Sequence, residues 1–357
     1  MSDAPDPVSD EVLDDLRRRL RGFRPVAGVG SGWSHGTDPK YLRELLAYWA
    51  DGYDWRAAEA RIRSLPWART SNGMSGLHQL AAEPDAPVVV LLHGWPDSIL
   101  RFERVLPLLT DVHVVVPCLP GYPFSELPGS SRDAMADPIA GMLAELGYDR
   151  YVVSGGDIGS GLGEALARKH PEAVTALHLT DVQLTHLAPL DPADLTDGER
   201  RFAEEVADWR ARDGGYMAEQ GTRPDTLSVA LGDSPAGLAA WILEKLRGWS
   251  DCDGDVERVF PRDELLTWVT IWWVTDAIGT SFAPYAFREP PSSDRVEVPT
   301  VFSRFPADLV HAPRELAERF YDVRAWDEQP AGGHFGAWEQ PEGFVRGLRQ
   351  AIAVARP

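Results

Sequence analysis

Residues 151–160 read YVVSGGDIGS, a pattern typical of one kind of fold. A short run rich in β-branched residues comes first, which is typical of a buried strand, and a helix that extends to Lys169 follows. Small residues, Gly155 and Gly159, flank Asp157 on both sides. This spacing indicates a turn so tight that a side chain at either glycine would clash. The turn therefore predicts that Asp157 is raised above the edge of a sheet.

Other apolar runs alternate with helical stretches along the chain. Continuous apolar strands of this kind indicate a parallel sheet that is covered on both faces. Ligand chemistry in such sheets lies beyond the carboxyl ends of the strands, so the loops that follow them are the candidates. The predicted strands are residues 88–92, 112–116, 151–153, 174–179, 298–302 and 323–326.

The chain divides into four predicted segments. Residues 1–75 read as helices before any strand, and they are expected to pack on the body of the protein. Residues 76–185 and 296–357 form the two parts of the α/β core. Residues 186–295 interrupt the core with helical spacing, many charges and six tryptophans, which predicts a helical cap. In the first segment, Asp38 is expected to cap a helix that Gly52 ends.

The formal net charge of −20 at pH 7 argues against nucleic acid or an anionic membrane face as a partner. The two cysteines, Cys118 and Cys252, do not have a metal-ligand spacing, and a disulfide framework is unsupported. We expect a cytoplasmic protein without a signal peptide or a membrane span.

An aspartate at the apex of the turn indicates nucleophilic attack by a carboxylate. A carboxylate has an unperturbed pKa of about 3.9, so it needs no base to activate it at neutral pH. It can displace a leaving group at a saturated carbon and form an ester. The substrate would then be an epoxide or an alkyl halide.

An alternative is a dinucleotide site, since Gly159, Gly161 and Gly163 open the helix and Asp181 lies about twenty residues on. Their spacing is GxGxG, however, and Asp157 would repel a pyrophosphate.

The loop after the strand at 88–92 reads His93-Gly94-Trp95-Pro96. In this arrangement such a loop supplies one backbone N–H to an oxyanion hole, and the residue after the nucleophile supplies another. The donors would be Trp95 and Ile158, which would stabilise the negative oxygen formed when water attacks the ester. A plain turn is the alternative for this loop.

A base and an orienting acid are expected near the C-terminus. His334 lies between Gly333 and Phe335 after the last strand, which fits the order of nucleophile, acid and histidine. It would activate the water. Asp308, after the strand at 298–302, would hold the imidazole and stabilise the imidazolium. Asp322 and Asp327 are rival candidates for the acid.

The motifs HGWP, GGDIGS, FPAD and GGHF, in this order, resemble those of the microsomal-type epoxide hydrolases. Residues 33–67 are similar to the N-terminal domain of that family, and segments of the insertion are similar to its cap. The resemblance covers nearly the whole chain. It implies an α/β-hydrolase fold with a mostly parallel central sheet, a helical cap insertion and an N-terminal helical extension.

The resemblance also implies two cap tyrosines, Tyr216 and Tyr285, whose hydroxyls hold and protonate the epoxide oxygen. Two departures from the family stand out. Mammalian members carry an N-terminal membrane anchor that we do not find here, and the acid is Asp308 where some relatives have glutamate. The composition is similar to that of epoxide hydrolases from actinobacterial natural-product pathways, including enediyne pathways.

We therefore expect an enzyme that opens an apolar epoxide to a vicinal diol. The more specific form of this expectation is an aromatic epoxide. Its partners would be the epoxide and water, with no cofactor or metal, and a homodimer is compatible with the sequence. A haloalkane dehalogenase is the enzymatic alternative, although Ile158 stands where that class often has tryptophan. A catalytically inactive binding protein is the alternative of another class.

Overall fold

The computed structural model describes residues 3–290 and 293–355, so the outermost residues of the first and last predicted segments lie outside it. Within these ranges eight strands form one sheet in the order β1-β2-β4-β3-β5-β6-β7-β8. The pairs β1–β2 and β2–β4 are antiparallel, and every other pair is parallel. The strands are β1 Trp67–Arg69, β2 Ser75–Gln79, β3 Val88–Leu92, β4 His113–Pro117, β5 Tyr151–Gly155, β6 Val174–Leu179, β7 Val296–Arg304 and β8 Tyr321–Glu328.

Helices cover the sheet and build the cap. They are α1 Asp10–Arg21, α2 Pro39–Asp51, α3 Trp55–Arg63, α4 Arg132–Glu145, α5 Ile158–Lys169, α6 Asp197–Asp213, α7 Gly215–Thr222, α8 Pro224–Asp233, α9 Pro235–Gly248, α10 Arg262–Val274, α11 Ala283–Ala286, α12 Arg314–Phe320, α13 Gly336–Glu339 and α14 Pro341–Val354. No single helix of the described ranges is long and apolar enough to span a membrane; α8 and α9 meet that criterion only as a pair bent by 113°.

The central strands are apolar on both faces because helices cover both sides of the sheet. Every residue of β4, β5 and β6 is buried, as is all of β3 except its first residue. The predicted α/β fold with a mostly parallel sheet is confirmed, and each predicted strand lies within two residues of an observed one.

The start of the chain is only partly as predicted. The helices α1 and α2 are present, and the side chain of Asp38 accepts the N–H of Lys40 while Gly52 caps the other end. The expectation that residues 1–75 contain helices and no strand is wrong, because β1 lies within them, β2 begins at Ser75, and the two form the antiparallel edge of the sheet. The three residues of β1 are too few to show alternation, and β2 contains glycine and polar residues that strands rarely favour.

The N-terminal helices contact the cap. Both α1 and α2 pack against α9. Three tyrosine hydroxyls of the segment make hydrogen bonds to cap residues: Tyr41 to Glu257 at 3.0 Å, Tyr48 to Asp263 at 2.7 Å and Tyr53 to Thr267 at 2.8 Å. The cap, α6 to α11, is therefore held from the side by residues that precede the sheet.

The turn between β5 and α5 is as tight as its glycines predict. Asp157 has φ 58° and ψ −124°, a left-handed conformation that non-glycine residues rarely adopt. A Cβ at Gly155 would lie 2.3 Å from the carbonyl oxygen of Gly159, and one at Gly159 would lie 2.2 Å from that of Leu92. Backbone atoms on both sides therefore exclude any side chain at these positions.

Gly159→Ala should lower the free energy of unfolding by about 1–3 kcal/mol, because the added methyl group meets a backbone oxygen that cannot move away easily. Gly248→Ala is the matched control, since a Cβ there meets no atom within 4 Å. The control should leave the free energy of unfolding unchanged or raise it by up to about 1 kcal/mol. Urea unfolding of both variants measures the difference, and equal stabilities would contradict the assigned crowding.

Candidate active site

Asp157 stands at the apex of the turn, directly before the N-terminus of α5. Its Oδ1 accepts the backbone N–H of Trp95 at 2.8 Å, and its own N–H donates to Oδ1 of Asp181 at 2.8 Å. A Cβ at Gly94 would lie 2.5 Å from the same Oδ1. The carboxylate is thus fixed between two loops, and only glycine fits beside it.

His334 lies next to this carboxylate. Its Nε2 is 3.8 Å from Oδ2 of Asp157, and its Nδ1 is 2.9 Å from Oδ1 of Asp308. In residues 3–290 and 293–355, Nε2 has no hydrogen-bond partner. Since the Nδ1–H donates to Asp308, Nε2 carries the free lone pair that can take a proton from water.

The geometry distinguishes Asp308 from the two rival acids. The carboxylate of Asp322 pairs with Arg324 at 2.8 Å, and that of Asp327 accepts the side-chain amide of Gln329 at 2.6 Å. Both lie on β8, whereas Asp308 follows β7 and faces His334. The structure therefore brings Asp157, His334 and Asp308 together in one place.

The two predicted cap tyrosines lie over the same spot. The ring of Tyr216 stacks on that of Trp95 with centroids 5.2 Å apart and an 8° angle between planes. Tyr285 meets Trp95 edge-on at 6.1 Å and Tyr216 at 6.0 Å. Both tyrosines are buried, and in the described part of the chain the hydroxyl of Tyr285 has no hydrogen bond of good geometry.

The HGWP loop has the form that an oxyanion site needs. The amide of Trp95 already points at Asp157, and Ile158 begins α5 beside it. His93 supports the loop from below, because its Nε2 accepts the N–H of Leu119 at 3.3 Å. The Trp95–Pro96 peptide bond is cis.

Burial and charge act together on the reacting groups. Burial raises the pKa of Asp157, and the charge of His334 and the N–H of Trp95 oppose that effect only in part. Burial lowers the pKa of His334, but the charge of Asp308, its hydrogen bond and the charge of Asp157 outweigh burial and raise it overall. Burial tends to raise the pKa of Asp308, yet the charge of His334 and its hydrogen bond lower it overall. The acid therefore stays ionised beside the imidazole.

The phenols stay neutral. Burial, and then the charge of Asp157, raise the pKa values of Tyr216 and Tyr285 well above the ordinary value for tyrosine. A neutral phenol is a hydrogen-bond donor, so both hydroxyls can donate to an oxygen that gains negative charge beside Asp157.

The cap holds the loop that carries the histidine. The N–H of His334 donates to the carbonyl oxygen of Trp249 at 2.8 Å, and their rings lie 5.2 Å apart. The carboxylate of Glu339 accepts N–H groups from Asp251 at 2.7 Å and from Phe335 at 3.0 Å. We call residues 249–251 the cap clasp.

Sequence reasoning missed several residues around the site. Asp181, considered above for a dinucleotide site, is buried beneath the turn, where it accepts the N–H of Asp157 and the hydroxyl of Ser160. That position supports the turn and leaves no carboxylate for a ribose, so the dinucleotide alternative is wrong.

Asp97 and Arg101 form a buried ion pair behind the HGWP loop. Their spacing of four residues was the signal that could have found them.

Within the described residues, no group of three or more histidine, cysteine, aspartate or glutamate side chains could hold a metal ion.

Comparisons with known proteins agree with this geometry. A family model described as epoxide hydrolase N terminus matches residues 5–102, and one described as alpha/beta hydrolase fold matches residues 87–225. A protein from Stigmatella aurantiaca, named by inference as an epoxide hydrolase, is 36% identical over 98% of this chain and 84% of its own. Epoxide hydrolase 1 of Sus scrofa is 30% identical over 97% of this chain and 87% of its own. This chain belongs to the epoxide hydrolase family.

Solved structures of this epoxide hydrolase's relatives have the same fold. The juvenile hormone epoxide hydrolase of Bombyx mori is 28% identical with a TM-score of 0.86, and the match covers 98% of this chain and 93% of that one. The Aspergillus niger epoxide hydrolase is 26% identical with a TM-score of 0.85, over 98% and 94% of the two chains. The predicted enzyme class and α/β-hydrolase fold are confirmed, and the dehalogenase and inactive-binder alternatives give way to them.

Asp308→Asn should slow the epoxide hydrolase by roughly 100-fold or more, because the imidazolium loses its carboxylate partner. Asp308 raises the pKa of His334 in the folded protein, so its removal lowers that pKa. The acid limb of the pH–rate profile, below which His334 is protonated and inactive, should therefore move to lower pH. Asp322→Asn is the control and should leave the limb in place. An unmoved limb in the Asp308 variant would contradict the assigned pairing.

Proposed function

We propose that this epoxide hydrolase converts an epoxide and water to a vicinal diol through an ester on Asp157. One observation carries the proposal, namely that the two oxygens of this carboxylate have different neighbours. Oδ1 accepts the N–H of Trp95 at 2.8 Å, whereas Oδ2 is the oxygen that lies 3.8 Å from Nε2 of His334. Oδ2 is thus the attacking atom, and Oδ1 already occupies the position where negative charge develops later.

In the first step, Oδ2 of Asp157 attacks a ring carbon of the epoxide. The bond from that carbon to the ring oxygen breaks, and the oxygen leaves with the electron pair. Tyr216 and Tyr285 donate hydrogen bonds to it, and one of them supplies a proton. Their buried rings against Trp95 also exclude water from the ring carbon.

In the second step, Nε2 of His334 takes a proton from a water molecule that attacks the ester carbon. The charge that develops on Oδ1 rests on the amides of Trp95 and Ile158, and the Asp308 carboxylate stabilises the imidazolium. The ester bond then breaks, and the leaving oxygen of the diol takes the proton of the new Asp157 carboxyl group, which becomes a carboxylate again. The proton that His334 gained returns to the phenolate, so every group regains its starting state.

An apolar substrate with an aromatic group fits the surroundings of Asp157. Four aromatic side chains contact one another there: Trp95, Tyr216, Tyr285 and Trp249. Such rings favour flat apolar groups beside the reacting carbon. A role in bacterial secondary metabolism, a cytoplasmic location and a homodimer stay predictions from the sequence.

Asp157→Asn should reduce diol formation by roughly 1,000-fold or more, since the amide is a poor nucleophile. The fold should survive, because the amide oxygen can still accept the N–H of Trp95. His334→Gln should react once with styrene oxide and accumulate an ester on Asp157, which intact-protein mass spectrometry detects.

A single turnover of the wild type in heavy-oxygen water distinguishes this route from direct attack by water. The ester route labels Asp157 and leaves the first diol unlabelled. A labelled diol with an unlabelled Asp157 would refute the ester.

Tyr285→Phe and Tyr216→Phe should each slow ester formation by roughly 10- to 1,000-fold and leave ester hydrolysis nearly unchanged, because the phenols act on the leaving oxygen alone. Rapid-quench kinetics separates the two rates. Tyr148→Phe is a suitable control, since its hydroxyl bonds to His78 away from the site. A slower hydrolysis step with normal ester formation would count against the assigned role.

A further inference from the structure

A buried ion pair lies behind the reacting groups, and the two-step reaction does not use it directly. Asp97 and Arg101 are each 1% exposed. A buried ion pair recovers its desolvation cost only with good geometry and further hydrogen bonds.

The pair connects the two loops that flank Asp157. Oδ1 of Asp97 accepts the N–H of Gly94 at 2.8 Å, next to the amide that binds the nucleophile. Oδ2 of Asp97 accepts one guanidinium nitrogen of Arg101. The other terminal nitrogen, Nη2, donates to the backbone carbonyl oxygen of His334 at 2.5 Å. One unbroken series of hydrogen bonds thus runs from the oxyanion loop to the base.

The guanidinium also lies beneath the nucleophile turn. A Cβ at Gly156 would lie 3.1 Å from Nη2 of Arg101 and 2.4 Å from the hydroxyl of Thr180. The absence of a side chain at Gly156 therefore makes room for the arginine. The Arg101 group contacts or borders all three loops whose spacing determines the geometry of the second step.

The charge of Arg101 acts on the same groups. The ionisable groups that face it are Asp97, Asp157, Asp308 and His334. Burial lowers the pKa of Arg101, but the charge and hydrogen bond of Asp97 outweigh burial and raise it overall, so the group stays cationic. The arginine in turn opposes the rise in the pKa of His334.

We infer that Arg101 is a positioning residue for ester hydrolysis, which holds His334 and the Trp95 amide in register around the ester carbon. The inference rests on the proposed ester route. Ester formation needs Asp157 and the two phenols, and among the described residues the hydrogen bonds of the Arg101 side chain go to Asp97 and to the His334 carbonyl oxygen instead. Hydrolysis needs Nε2 of His334, a water molecule and the oxyanion amides aligned, and a shift of about 1 Å in such an alignment costs roughly 100-fold in rate.

Single-turnover kinetics of Arg101→Met with styrene oxide tests this role. Ester formation should stay within about threefold of the wild-type rate, and hydrolysis should slow by roughly 10- to 100-fold, so that the ester accumulates. The acid limb of the hydrolysis step should move to higher pH, because a cation that lowers the pKa of His334 is gone. Arg101→Lys keeps the charge but cannot bridge both partners, so it should leave the limb in place and still slow hydrolysis.

Two further variants separate the proposed role of Arg101 from a general loss of stability. Asp97→Asn combined with Arg101→Met removes both charges, which avoids an unpaired buried carboxylate, and it should show the same slow hydrolysis. Arg104→Met is the matched control, since Arg104 lies on the next turn and donates to the carbonyl oxygen of Trp338 at 3.0 Å, away from His334. It should leave both rates unchanged.

Equal slowing of both steps in folded Arg101 variants, or a wild-type rate of hydrolysis, overturns the inference. Failure of the ester route itself looks different, because then neither the wild type nor His334→Gln forms an adduct.

Discussion

Backbone crowding at the bend between β5 and α5 determines where Asp157 and the backbone amide of Trp95 lie relative to each other. The carbonyl oxygens of Leu92 and Gly159 come so close to the bend that two glycines are required, and Asp157 adopts a left-handed conformation as a result. The same close approach brings β3 beside α5, so the amide of Trp95 meets the carboxylate of Asp157 at 2.8 Å. The proposed nucleophile and its proposed oxyanion donor thus follow from one steric constraint on the main chain.

The sequence predicted those site residues that neighbouring residues or their place after a strand identify. Asp157 was found from its glycine neighbours, and His334 and Asp308 from their order after successive strands, because parallel strands bring their carboxyl ends to one edge. The strands β3 and β6 were predicted to the residue, since both are continuous apolar runs between turns. The two cap tyrosines came from family resemblance alone, because a single tyrosine carries no local signal.

What the sequence did not reveal depends on contacts between distant residues. Arg101 bonds to a carbonyl oxygen 233 positions later, so its spacing from Asp97 indicates an ion pair but not that the pair is buried beside His334. Asp181 was weighed for the wrong ligand because its environment, beneath the turn, exists only in the fold. The strand β2 forms on the free edge of β4 and β1 then pairs with β2, so the composition of these two strands predicts them poorly.

The cap clasp has a consequence for the position of the base. Trp249 and Asp251 hold the loop of His334 by hydrogen bonds to its main chain, so the imidazole is supported by the cap although its loop belongs to the second part of the core. Its other support is Asp308, which follows β7. The imidazole therefore keeps its place only while cap and core keep their relative positions, and a substitution in residues 249–251 can act on the site without touching any of its side chains.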